Sequence, residues 1–204
     1  MISAVEALTR LKDGNRRYLS GAKSKSALDN QKSRHDLAKG QTPIAVVVGC
    51  SDSRVPPEII FDQNLGDLFV IRVAGNISGA SQIASVEFAV ERFGCNLVIV
   101  LGHTKCGAVN ATINAIANPG APVSSNMRSI ADRVASAILP TLEEGGDPTS
   151  ESVVTKCVLA NIQSSLETMI ERSSVLQRSM QQQGFLITGA LYSLETGVVS
   201  FIDG

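Results

Sequence analysis

The chain has 204 residues, of which 44% are hydrophobic and 18% are charged, and its formal net charge is −1. These values are typical of one soluble domain with a sizeable core, and the near-neutral charge without a basic stripe argues against a nucleic-acid partner. No apolar run reaches the ~18 residues of a membrane-spanning helix, and no secretory pattern opens the chain, so we expect a cytoplasmic protein without a membrane partner.

The amino-terminal region predicts a helix followed by a polar segment. Ser3 and Glu6 form a capping-box pattern, and apolar residues recur at helical spacing over residues 3–19. Residues 20–40 are polar and weakly patterned. We therefore predict one domain over residues 1–204 that carries an amino-terminal helical arm at about residues 1–40.

Three short apolar runs, rich in β-branched residues, predict strands at 44–48, 68–73 and 96–101. Their nearly continuous apolarity is typical of strands covered on both faces, as in a parallel sheet. The intervening and following segments predict helices at 80–93, 106–117, 126–139 (ending at Pro140) and about 147–182.

The carboxyl-terminal segments 185–194 and 198–202 predict two further strands around a turn at 195–197. Strands that alternate with helices indicate an α/β fold. We predict a mainly parallel central β-sheet flanked by helices, with an antiparallel carboxyl-terminal edge strand.

Chemistry-bearing residues follow two of the predicted strands. Cys50 comes after the first strand, and His103 and Cys106 come after the third. The carboxyl ends of parallel strands meet at one edge of a sheet, so these side chains are expected to lie together. Two thiolates and an imidazole favour zinc over magnesium or calcium, and three protein ligands leave one position for water. Gly49 and Gly102 precede the ligands and predict sharp turns there.

Asp52 and Arg54 follow Cys50 at two-residue intervals. A bidentate clamp from Arg54 would keep Asp52 ionised, so that it accepts a hydrogen bond from a protonated group on the metal. The alternative is that Asp52 itself occupies the fourth position. Cys95 and Cys157 lie among apolar residues and are predicted to be buried thiols without a role in chemistry.

The motifs CSDSR at 50–54 and HTKC at 103–106, with LFVIRVAGN at 68–76 and GALYSLETGVV at 189–199, resemble the β-class carbonic anhydrases. The resemblance implies one Zn²⁺ per subunit on Cys50, His103 and Cys106, and a catalytic Asp52–Arg54 dyad. It also implies reversible hydration of carbon dioxide to bicarbonate and a proton by zinc-bound hydroxide. Members form homodimers, often tetramers or larger, with active sites at the dimer interface.

The resemblance points to the plant-like subgroup, which has an open, water-bound zinc. Val47 stands where the other subgroup has Trp, and the chain contains no Trp. Gln41 and Phe69 match the plant-like subgroup, whereas Phe88 stands where that subgroup has Tyr. We predict that Gln41, Phe69, Phe88 and the amide of Gly107 bind substrate, with Val55 as a further apolar wall.

Some assignments stay open on the sequence alone. His35 in the arm is a candidate for a proton shuttle, and solution buffer is the alternative. For Arg72 the sequence suggests a structural role. Related zinc motifs also occur in hydrolases of carbon disulfide or carbonyl sulfide. A non-catalytic zinc protein would instead show a closed site with four protein ligands.

Overall fold

The computed structural model describes residues 2–22, 34–120 and 124–202. Within these ranges strands and helices alternate, and a 3₁₀ turn at Ala74–Asn76 follows the second strand. The helices and strands in chain order are α1 (Ala4–Leu19), α2 (Arg34–Leu37), β1 (Ala45–Gly49), α3 (Pro57–Ile60), β2 (Leu68–Arg72), α4 (Ala80–Phe93), β3 (Leu97–His103), α5 (Gly107–Ala117), α6 (Ser125–Glu143), α7 (Glu151–Arg172), α8 (Ser174–Met180), β4 (Leu186–Tyr192) and β5 (Val199–Ile202).

One five-stranded sheet in the order β2-β1-β3-β4-β5 forms the centre of the fold. β2, β1, β3 and β4 pair in parallel, and β5 is antiparallel to β4. Every residue of β1 and β3 is buried, which explains their continuous apolar sequences. The predicted α/β fold with an antiparallel carboxyl-terminal edge strand is confirmed. No helix of the described ranges is long and apolar enough to cross a membrane.

Helix α1 packs against the body of the domain. Ser3 caps it as predicted, because its hydroxyl accepts a hydrogen bond from the Glu6 amide at 3.2 Å. Leu11 is fully buried in the core. Gly14 allows the close approach, since a Cβ atom there would stand 1.8 Å from the Phe61 carbonyl oxygen at the end of α3. Residues 23–33 of the predicted arm lie outside the described residues.

Two of the predicted helices differ from those in the structure. Helix α6 continues past Pro140 to Glu143, because a proline in the last turn removes only one backbone hydrogen bond. The helix predicted over 147–182 begins at Glu151 and is divided at Ser173, which adopts an extended conformation. The Ser173 hydroxyl caps α8 through the Leu176 amide and donates to Glu87 on α4 at 2.6 Å. Asp147 instead accepts from the Thr149 amide in the preceding turn.

The prediction of sharp turns at Gly49 and Gly102 is also wrong. Gly49 is the last residue of β1 and Gly102 lies inside β3, and neither has a positive φ. Gly102 is required for packing, because a Cβ atom there would stand 2.6 Å from Ile162 Cδ1 on α7. Gly189 on β4 meets the same side chain, with a Cβ position 2.7 Å from Ile162 Cγ2. The two glycines form a notch in the sheet that admits Ile162.

Candidate metal centre

Three soft donors meet at the carboxyl edge of the sheet. Cys50 directly follows β1, His103 is the last residue of β3, and Cys106 is the residue before α5. Their ligand atoms all lie within 4.8 Å of one another. The three residues are almost fully buried, at 5%, 0% and 1% exposure respectively. The structure thus brings together the three residues that the sequence predicted to meet at the strand ends.

The imidazole of His103 is arranged as a ligand. Its Nδ1 lies 2.9 Å from the Thr104 carbonyl oxygen, which assigns the ring proton to Nδ1 and leaves the Nε2 lone pair free. Nε2 is buried and has no hydrogen-bond partner among the described residues. A buried acceptor without a partner costs free energy, and a metal ion at this point would remove that cost. The donor set therefore fits a borderline-soft divalent metal such as zinc.

The two thiols change each other's acidity. The pKa of Cys50 is lowered, chiefly because the Cys106 thiol donates a hydrogen bond to its sulfur. Amides of Asp52 and Gly75 also donate to that sulfur, each at 3.4 Å. The same contact with Cys50, together with burial, raises the pKa of Cys106. Zinc binds cysteine as the thiolate, so metal binding would release protons from these thiols.

Arg54 clamps Asp52 beside this cluster. Its Nε and Nη2 donate to the two carboxylate oxygens at 2.9 Å and 2.7 Å, and its backbone amide adds a bond at 3.0 Å. These contacts hold the pKa of Asp52 well below its usual range. The Oδ2 atom of Asp52 lies 3.9 Å from His103 Nε2. A permanently ionised acceptor therefore faces the space between the metal donors.

Arg72, at the end of β2, fixes the backbone that carries both Cys50 and Asp52. It donates to the Cys50 carbonyl at 2.8 Å and to the Asp52 carbonyl at 2.5 Å. The sequence suggested a structural role for Arg72 but did not indicate these partners. No sequence pattern indicates them, because they depend on the register that places Arg72 opposite Gly49 and beside the ligand loop.

A second support comes from the turn after β4, and sequence reasoning missed it. Lys105, between the ligands of β3 and α5, has a φ of 55° and forms an ion pair with Glu195. The Thr104 hydroxyl donates to Glu195 at 3.3 Å and accepts from the Leu194 amide at 3.0 Å. The Lys105 ammonium lowers the pKa of Glu195. The motif GALYSLETGVV contains Glu195 and was the available signal.

Only part of the predicted substrate-binding set lies beside the donors within one chain. Gly107 is exposed at the start of α5, directly after Cys106, and Val55 is buried after the Asp52 loop. Gln41 precedes the amino end of β1, at the opposite edge of the sheet. His35 is exposed on α2, and nothing in its surroundings tests the predicted shuttle role.

Phe69 and Phe88 belong to a separate group on the surface. With Phe93 they form what we call the aromatic cluster, with ring centroids 5.7–6.2 Å apart. Phe69 is the second residue of β2, away from the carboxyl edge, and pairs in register with Val46. Phe88 is 53% exposed. Within one chain, these rings do not line the metal centre.

The sequence comparisons identify the family. A family model described as carbonic anhydrase matches residues 45–199, a range that contains all three donors, the Asp52–Arg54 pair and Glu195. Carbonic anhydrase 2 of Mycobacterium tuberculosis is 37% identical over 193 residues, covering 95% of this chain and 90% of the relative. Carbonic anhydrase of Mycolicibacterium smegmatis is 36% identical and covers 96% and 91%, respectively.

The chain belongs to the β-carbonic anhydrase family. Among solved structures it is similar to the β-carbonic anhydrase CafA of Aspergillus fumigatus, with a TM-score of 0.73, 26% identity, and coverage of 88% and 85%. A tetrameric β-carbonic anhydrase of Sordaria macrospora shares the fold, with a TM-score of 0.74, 20% identity, and coverage of 91% and 92%. The β-carbonic anhydrase sheet thus carries the donors of this chain at its carboxyl edge.

Proposed function

We propose that this β-carbonic anhydrase uses one Zn²⁺ on Cys50, His103 and Cys106 to hydrate carbon dioxide reversibly to bicarbonate and a proton. The observation that carries the proposal is the meeting of three buried soft donors within 4.8 Å of one another, beside a carboxylate. Zinc on three protein ligands supplies an open position and lowers the pKa of a water there to about 7.

Asp52 has an orienting role in this proposal. Because Arg54 holds it ionised and occupies both carboxylate oxygens, Asp52 accepts a hydrogen bond from a hydroxyl group in the site. A ligand without a proton cannot make that bond. The pair therefore favours a protonated oxygen in one orientation, and the clamp favours the open site of the plant-like subgroup over direct ligation by Asp52.

The start of α5 favours the anionic product. Gly107 is its first residue, and the amides of Ala108 and Val109 in the same turn point at the Cys106 sulfur, where they favour a negative charge. The amino end of a helix carries partial positive charge and exposed N–H donors, so it stabilises an anion such as bicarbonate. A Cβ atom on Gly107 would meet nothing within 4 Å, which leaves room for a small ligand there.

A stopped-flow hydration assay on metal-replete protein tests the function. We expect hydration activity to rise in proportion to zinc content, to disappear after chelation and to return with Zn²⁺ but not with Mg²⁺. Carbonyl sulfide, assayed in parallel, tests the related hydrolase activity. A fully zinc-loaded sample without hydration activity would contradict the proposal.

We further propose that the protein works as a homo-oligomer in which subunits complete each other's sites. Gln41 and the aromatic cluster lie away from the donors of their own chain, and Phe88 is exposed. β2 is an edge strand whose outer side is unpaired in the described chain. Association across this edge would cover the exposed ring and bring substrate-binding residues to a neighbouring metal centre.

A further inference from the structure

A polar cavity lies away from the metal centre. It is bounded by the loop before α4 and by α6 and α7, and its volume is about 280 Å³. None of the metal donors lines it. We call it the hydroxyl-lined cavity, because serine and threonine side chains form much of its wall.

Ser78 supplies a buried hydroxyl group to the wall of this cavity. The residue is 3% exposed, and its Oγ atom is buried without a hydrogen-bond partner among the described residues. Buried hydroxyl groups in proteins normally have a partner, since leaving one unsatisfied costs free energy. Ser78 lines the cavity, so a ligand there can provide the missing partner.

The helical hydroxyl groups of the wall are also free of backbone partners. In the described chain, side chains on other helices donate to the carbonyl oxygen four residues earlier, as Thr9, Ser85, Thr112 and Ser179 do. The hydroxyl groups of the cavity wall have no hydrogen bond to any described residue; these are Ser136, Ser164, Ser165 and Thr168. They remain available to a ligand.

The charge of the wall favours an anion. Arg133 on α6 and Arg172 at the end of α7 both line the cavity, and neither forms an ion pair within the described ranges. Asp132 is the acidic residue that lines the cavity together with these arginines. Two guanidinium groups against one carboxylate leave the wall with a net positive charge.

We infer that the hydroxyl-lined cavity binds a phosphate group. A phosphate presents three or more strong acceptor oxygens and pairs with arginine in a bidentate manner. Five hydroxyl groups and two guanidinium groups offer more donors than the two oxygens of a carboxylate can accept. The group is either inorganic phosphate or the phosphate of a small phosphomonoester, for which the cavity has room.

Calorimetric titration of the full-length, zinc-loaded protein with inorganic phosphate, at fixed ionic strength, tests the inference. We expect saturable binding of one phosphate per chain. The double variant Arg133→Gln/Arg172→Gln should weaken it about tenfold or more, because charge-assisted hydrogen bonds are lost. Ser78→Ala should weaken it several-fold. Arg128→Gln, on the same helix α6 but outside this cavity, is the matched control and should bind as the parent does.

Carbon dioxide hydration by the variants shows that they are folded, because none of the changed residues belongs to the metal centre. A titration with methyl phosphate shows which of the two ligands the cavity prefers. If methyl phosphate binds more tightly than inorganic phosphate, the ligand is a phosphomonoester. If inorganic phosphate binds more tightly, the ligand is the free ion. Three results would overturn the inference: no saturable binding, unchanged binding in the double variant, or an equal loss in Arg128→Gln.

Discussion

Asp52 is held by three hydrogen bonds from a single residue, yet that residue, Arg54, has a side chain that is 53% exposed. Exposed ion pairs contribute little to the free energy of folding. The value of this pair lies instead in fixing the direction of a charged oxygen 3.9 Å from a metal donor. A functional role therefore explains its geometry better than a stabilising one.

Replacing Asp52 by asparagine tests that role. We expect Asp52→Asn to keep its zinc and to lose turnover by about a hundredfold. The neutral amide forms no ion pair with Arg54, and it is a weaker acceptor for a hydrogen bond from a hydroxyl group in the site. Stopped-flow hydration and zinc analysis of the same samples measure both effects. Asp13→Asn, which removes an exposed ion pair with Arg16, is the control. Full activity of Asp52→Asn across the pH range would refute the orienting role.

Replacing Cys106 by serine tests the metal centre itself. A hydroxyl group is a poor zinc ligand compared with a thiolate, so Cys106→Ser should lose stoichiometric zinc and all hydration activity. Cys157→Ser, at a fully buried thiol outside the centre, should retain zinc. Zinc content after dialysis is the measurement. Equal zinc retention in the two variants would show that Cys106 is not a ligand.

The buried hydroxyl group of Tyr192 makes the free energy of unfolding depend on pH in the alkaline range. It is 3% exposed, its hydroxyl lies 3.1 Å from that of Tyr18, and burial raises its pKa to about 12. In the unfolded chain the pKa is about 10. The folded state thus retains a proton that the unfolded state releases, so this contribution is present below about pH 10 and declines toward pH 12.

Chemical denaturation at several pH values measures this effect. The free energy of unfolding should fall more steeply between about pH 10 and 12 in the parent than in Tyr192→Phe, which has no proton to release. Parallel curves for the two proteins would contradict the shift.

The residues of the metal centre differ in how far the sequence predicts them. The sequence predicts Cys50, His103 and Cys106, because their chemistry is specific and the topology brings the strand ends together. It does not predict the roles of Arg72 and Glu195, because these side chains form hydrogen bonds with backbone carbonyls and with a hydroxyl group of residues that are distant in the sequence. Such contacts depend on strand register, which periodicity does not specify.

At the scale of elements, the apolar pattern predicts the strands and helix α4, and Gly94 predicts the end of α4. The boundaries that failed depend on tertiary contacts. Ser173 breaks a helical pattern because its hydroxyl caps α8 and bonds Glu87 of α4. Gly102 looks like a turn residue in the sequence, whereas its role is to admit a side chain from α7.

The contact of α1 with the end of α3 offers a test of element packing. Gly14→Ala would place a methyl group against the Phe61 carbonyl oxygen, so α1 must shift. We expect a loss of about 1–3 kcal/mol in the free energy of unfolding, typical of overpacking. Gly120→Ala, where a Cβ atom meets nothing within 4 Å, is the control for thermal or chemical denaturation. Equal stability of both variants would contradict the close packing.

At the scale of the whole molecule, the edge of the sheet at β2 lies beside exposed apolar surface. β2 has an unpaired outer side in the described chain, and Phe88 of the aromatic cluster is exposed beside it. Exposed strand edges and apolar surface favour association between chains. The sequence alone did not predict which edge this would be, because strand order depends on long-range pairing.

Phe88→Asp tests association across that edge. A charge within the aromatic cluster should oppose burial, so sedimentation should detect smaller species than in the parent. Zinc should be retained, because the donors belong to one chain, whereas turnover should fall. Met127→Asp, at an exposed apolar residue of α6, is the matched control. An unchanged assembly with full activity would place the interface elsewhere.

The notch that Gly102 and Gly189 form for Ile162 has an evolutionary consequence. A side chain at either glycine would collide with Ile162, and one at Gly189 would also stand 2.9 Å from Ile202 Cδ1, so a smaller residue at 162 relieves the whole collision only at Gly102. Because Gly102 directly precedes His103, such a collision would also displace the metal edge of the sheet. Positions 102, 162 and 189 are therefore expected to covary among relatives, and a substitution at one would be tolerated only in the background of a compensating change at another.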